Sequence, residues 1–131
     1  MNVAASVFDE AIAAGLLLSR QGEHIHIESP LGRPLLEDLR RRITSHRSEL
    51  LAWLDWCERA DELLLDCSRR LAYRYPTGCP LEDAEWRAAE SRLHAAYRSQ
   101  DHETWCAELA SYERFALNYF AAFEKEHGHA R

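Results

Sequence analysis

No run of about 18 apolar residues occurs in this chain, so no segment is expected to cross a membrane. The opening stretch MNVAASVFDEAIAAG has no basic start, and Asp9 and Glu10 interrupt its apolar residues. It does not read as a signal peptide, and a cytoplasmic protein is the expectation. No two cysteines stand at CxxC spacing, which argues against a zinc knuckle. The four cysteines, Cys57, Cys67, Cys79 and Cys106, could in number form two disulfides. Without an export signal, and with Cys57 and Cys67 inside one predicted helix, reduced thiols are expected instead. There is no GxSxG, no internal repeat and no low-complexity tract. The five glycines are scattered singly, so there is no loop to cradle a phosphate. These absences leave little for an enzyme to work with. A non-catalytic protein without a cofactor is the expectation.

What is present suits a folded helical chain. At 131 residues it is one domain, or one small module with a helical extension. With 47% hydrophobic residues it is too apolar for wholesale disorder, and four Trp, five Tyr and four Phe can fill a core. The net charge of −6 is uneven. Residues 1–32 are acidic (Asp9, Glu10, Glu23 and Glu28 against Arg20), and residues 49–131 are acidic again. Between them lies a basic island, where Arg33, Arg40, Arg41, Arg42 and Arg47 outnumber Glu37 and Asp38. Such an island can contact an acidic partner even on an acidic protein.

Hydrophobic spacing orders the elements. Val7, Phe8, Ala11 and Ile12 form one face of a short helix over 4–14, with Ser6 as candidate N-cap and Gly15 at the C-terminal cap. LLLSRQGEHIHIESP, residues 16–30, alternates instead, and predicts a β-hairpin turning at Gln21-Gly22-Glu23. Leu16, Leu18, Ile25 and Ile27 should face inward, and Leu17, Ser19, His24, His26 and Glu28 outward. After the loop SPLGRP, a helix is expected over about 35–43, with Leu35, Leu36, Leu39 and Ile43 as its stripe. A long helix follows from His46, capped by Thr44 or Ser45, to about Tyr75; a break near Trp56–Arg59 is allowed but not demanded. Pro80 suits the first turn of a helix running to Arg98. Asp101 suits the N-cap of a last helix over 102–126, whose seam is Trp105, Leu109, Tyr112, Ala116, Tyr119 and Phe123. The expected fold is mainly α with one small β-hairpin. An αββαα module over 1–56 is followed by a helical bundle or hairpin extension over 57–131.

Candidate chemistry is sparse. His24 and His26 share a strand face with Glu28 and could hold a metal, but a polar outer face on a half-buried hairpin is the simpler reading. His127 and His129 read as a terminal tract. Each cysteine falls at or near an apolar helical position, with Cys79 the most exposed of the four by expectation. Acid pairs such as Asp61-Glu62 fit solvated helix faces and first turns. Arg40, Arg41 and Arg42 point three ways around a helix, so not all can face one nucleic-acid groove.

The first 55 residues nevertheless carry a pattern: an apolar helix closed by Gly15, LLLSRQGEHIHIESP, then LLEDLRRRITSHRSELLAWL. Over roughly 4–55 this resembles the TubC-type N-terminal docking domains of hybrid polyketide and non-ribosomal peptide synthetases. His46, Arg47, Glu49, Leu50, Leu51 and Leu54 match in order the family's closing basic and leucine-rich segment. The resemblance implies a non-catalytic αββαα module, often homodimeric. Its exposed hairpin receives a short linear segment of a partner protein, read largely by charge. Carried onto this chain, the contact residues it implies are Leu17, Ser19, Arg20, His24, His26 and Glu28, with Arg33 and Arg40 beside them. In the synthetases large catalytic domains follow the module. Here about seventy-five residues of helix follow, so docking is implied more strongly than any pathway.

The leading expectation is therefore a docking or adaptor protein whose hairpin binds another protein, with no membrane partner and with homodimerisation open. An alternative is a small mobile-element or phage protein that blocks a host nucleic-acid-handling complex, its acidic surface occupying a basic channel. A third, less supported, is nucleic-acid association through Arg33, Arg40, Arg41, Arg42 and Arg47. Imidazoles ordinarily gain charge in mildly acid solution, so His24 and His26 also suggest partner binding that depends on pH.

Overall fold

Arg20 and Arg47 explain how a two-stranded ribbon, marginal on its own, persists among helices. In the computed structural model, which describes residues 2–127, strands β1 (Leu17–Gln21) and β2 (His24–Glu28) pair antiparallel. Gly22 opens their two-residue turn at φ +62, the left-handed conformation that glycine adopts without strain. Arg20 donates from Nε to the carbonyl of Gly22 at 2.7 Å and from Nη1 to Asp55 at 2.6 Å. Arg47 donates to the carbonyl of Glu23. Both Asp55 and Arg47 belong to the third helix, so two arginine contacts tie the turn to it.

The element order is α1 (Val3–Ala13), β1, β2, α2 (Glu37–Ser45), α3 (Arg47–Arg74), α4 (Ala84–Arg98) and α5 (His102–His127). The fold is mainly α with one β-hairpin, as the sequence predicts. None of the described helices is long and apolar enough to cross a membrane. The chain forms two compact units, Met1–Arg59 and Ala60–Arg131, and α3 contributes to both. It runs unbroken through Trp56–Arg59.

In the first unit, α1 starts earlier than expected. Asn2, not Ser6, is its N-cap, and the Asn2 side chain accepts the Ala5 N–H at 3.1 Å. Its C-terminus is a Schellman motif: Leu16 N–H reaches Ala11 O at 2.9 Å, and Gly15 N–H reaches Ile12 O at 3.0 Å. Gly15 carries the required positive φ of +82. The buried face is Ala4, Ala5, Val7 and Ala11, and Ile12 is exposed. This face, with Leu16, Leu18, Leu39, Ile43, Leu50, Trp53 and Trp56, forms the core. α2 begins two residues late, because Leu36 serves as N-cap and remains exposed. Thr44 and Ser45 lie inside α2 rather than capping α3. Arg42 spans from α2 to both carboxylate oxygens of Glu10 on α1, one at 2.8 Å, which joins the two helices.

In the second unit, Trp86 of α4 sits among Tyr112, Phe115, Tyr119 and Phe120 of α5, with ring centroids 5.7, 5.6, 5.2 and 6.1 Å away. Arg70 pairs with Glu113, and Trp105 donates its indole N–H to Ala60 O at 3.2 Å. α4 does not start at Pro80. Asp83 is its N-cap, accepting the Trp86 N–H at 2.8 Å, so the chain from Pro80 to Asp83 stays non-helical. Asp101 caps α5 as expected, accepting the Thr104 N–H at 2.9 Å.

Candidate docking groove

Antiparallel pairing decides which hairpin residues share a face. Leu18 stands opposite Ile27, and Arg20 opposite Ile25; Leu17 stands opposite Glu28, Ser19 opposite His26, and Gln21 opposite His24. Directly opposed residues project to the same side. Arg20 therefore belongs with Leu18, Ile25 and Ile27 on the side toward the helices. The outward set drops Arg20, and its Asp55 contact on α3 follows from this placement.

The inward side is unevenly covered. Leu16 and Leu18 are buried at 1% and 8% exposure, whereas Ile25 and Ile27 are only half-buried. α2, nine residues long (about 14 Å at 1.5 Å per residue), and β2 both line a gap. The gap is a groove of about 380 Å³. Ile25, Ile27, Leu35 and Ile43 supply its apolar lining, and His24, Arg40, Thr44 and Arg47 its polar lining. Arg47 is engaged by the Glu23 carbonyl. Among the described residues, the Arg40 guanidinium has neither an acidic partner nor a hydrogen bond.

Of the partner-contact residues expected from the sequence, the groove lining includes Arg40, on α2, and His24, at the turn end of β2, although the register of His24 opposite Gln21 puts it with the outer set. Leu17, Ser19, His26 and Glu28 lie on the opposite, outer face. There His26 Nε2 is 3.2 Å from Glu28 Oε1, and Leu17 is 49% exposed. Arg33 stands elsewhere. Its side chain lies over Gly15, where an added Cβ would meet Arg33 Cδ at 3.0 Å. Ser29 donates its hydroxyl to the Arg33 carbonyl at 2.6 Å. Sequence reasoning missed the half-open part of the groove, Ile25, Ile27 and Leu35, by assigning them to the core; Ile43 is buried, as that reading expects. Alternation alone does not separate a half-open face from a closed one.

The basic run does not act as one patch. Arg42 is committed to Glu10 and, at 3.4 Å, to Asp38; Arg41 is 4.0 Å from Asp38. The hydrogen bond to Arg42 holds the Glu10 carboxyl below the usual range, and the same bond raises Arg42. Among the described residues no three His, Cys, Asp or Glu side chains converge as a metal-binding group. His129 lies outside the described residues. Cys79, expected to be the most exposed cysteine, is buried, and burial pushes its thiol pKa up. Cys106 is the exposed one, its sulfur 3.5 Å from His102 Nε2. No family model, no curated protein and no solved structure matches this chain.

Proposed function

We propose that this protein is a non-catalytic docking protein, whose groove between β2 and α2 receives a short acidic, aliphatic-containing segment of a partner protein. One observation carries the reading. Arg40, a cation without an internal partner among the described residues, borders a half-open lining of Ile25, Ile27 and Leu35. An aliphatic side chain of the segment gains by leaving water against that lining, and a carboxylate beside it gains a charge-assisted contact with Arg40. A groove bounded by an edge strand and a helix also suits an extended segment, which can add main-chain hydrogen bonds to side-chain contacts. The resemblance of residues 4–55 to TubC-type docking domains supports the same role.

Protein is favoured over nucleic acid as the partner because Arg42 and Arg47 are engaged within the chain, and Arg41 lies near Asp38. A phosphate backbone would then meet few free cations on a chain of net charge −6.

Selection from a displayed random-peptide library tests the proposal. Bound peptides are expected to be enriched in Asp or Glu next to Leu, Ile or Val. Enrichment without acidic residues contradicts it, as does salt-sensitive retention of duplex DNA in place of peptide binding.

A further inference from the structure

The aromatic seam of α5 outruns the helix that should cover it. α4 has 15 residues and α5 has 26, about 22 Å against about 39 Å at 1.5 Å per residue. Trp105, Leu109, Ala116 and Phe120 are buried, but Tyr119 and Phe123 are only half-buried. With Asp83, Glu85 and Glu126 they line an open groove of about 620 Å³.

Its aromatic rings are held in place. The Tyr119 hydroxyl sits 2.8 Å from Asp83 Oδ2 and 3.1 Å from Pro80 O. Phe123 stacks on one side against the His127 ring, with centroids 4.4 Å apart and planes at 17°. The lining carries three carboxylates against one imidazole. The Arg87 guanidinium also acts on Asp83. An anion would be repelled here, and a purely apolar guest would strip water from carboxylates without replacing it. Aromatic rings edged by carboxylates attract a cation instead: the ring quadrupole favours it and the carboxylates pair with it.

We propose that this groove, between the loop preceding α4 and the last turns of α5, docks an arginine or lysine side chain carried on a basic segment of a partner protein. The planar guanidinium of arginine fits better, since it can lie on the tyrosine or phenylalanine ring while its N–H groups reach Glu85 and Glu126. The site is separate from the β2–α2 groove and has the opposite charge preference.

The test is an NMR titration of the full chain with acetyl-Gly-Arg-Gly-Arg-Gly-amide, against the uncharged citrulline version. Saturable shifts are expected around Asp83, Glu85, Tyr119, Phe123 and Glu126 with the arginine peptide only. Glu85→Gln combined with Glu126→Gln should weaken binding about fivefold. Glu62→Gln combined with Glu103→Gln, which removes the same charge elsewhere, should leave it unchanged. Equal losses in the two charge-matched variants overturn the proposal. So do shifts spread over the acidic surface, equal binding of the citrulline peptide, or no saturable shift. Should the first double variant change the circular dichroism spectrum, Phe123→Leu replaces it. That change keeps every charge and is expected to weaken the arginine peptide about threefold; unaltered affinity then overturns the proposal.

Discussion

Arg20 Nη1 lies 2.6 Å from Asp55 Oδ2, across 35 residues of sequence, and so fastens the tip of the hairpin to α3. The same guanidinium donates to the Gly22 carbonyl and pairs with Glu23. Asp55→Ala is expected to loosen the hairpin more than the rest of the fold. The pair is partly exposed, so the global loss should be about 0.5–1 kcal/mol. Hydrogen exchange at Ser19, Arg20 and Ile25 should accelerate well before that at Trp53. Uniform acceleration would mean that the contact does not act locally.

Acid should weaken the fold through paired carboxylates. The Arg70 hydrogen bond, against some opposing burial, holds the Glu113 carboxyl below its ordinary value of 4.5, and Arg42 does the same for Glu10. Each folded-state value lies below the unfolded one. The stabilisation is thus complete above the ordinary glutamate value and is lost as pH falls through the depressed one. The denaturation midpoint should be insensitive to these groups from pH 7 to about 5 and fall below about 4.5. Glu113→Gln should flatten that fall. An acid limb unchanged in this variant would remove the Arg70 pair from the account.

Two tyrosines should ionise late. Burial, aided by Glu90, pushes Tyr112 up to about 12, and the hydrogen bond to Asp83 followed by burial takes Tyr119 to about 12. An ultraviolet titration of the folded protein should therefore show two phenols still protonated at pH 11. Asp83→Asn keeps a capping oxygen but removes the charge, and should return Tyr119 alone toward the ordinary value near 10. A titration unaltered by Asp83→Asn would show that the hydrogen bond does not control Tyr119.

Much of the fold was legible because its signals are local. Gly15 closes α1, and Asp101 starts α5, from information within four residues. The readings that failed turned on partners distant in sequence. Pro80 and Asp83 both suit a helix start; Asp83 prevails with its cap on Trp86 and a second bond from Tyr119, 36 residues away. Arg20 reads as an outward charge although it stands two residues after Leu18, because nothing near it in sequence announces Asp55. The groove was illegible for a different reason. Ile25 and Ile27 read as core in any half-buried strand, because alternation gives the face and not how completely it is covered.

The docking claim is tested most directly by the affinity of one library-selected acidic peptide for the parent protein and for Arg40→Glu. Arg40 is exposed and makes no side-chain contact that the fold relies on among the described residues, so stability should be unchanged. At least a tenfold loss of affinity, about 1.4 kcal/mol, is expected. Glu28→Lys, on the outer face of the hairpin, should cause no loss. Equal affinity of the parent protein and Arg40→Glu would contradict the docking claim.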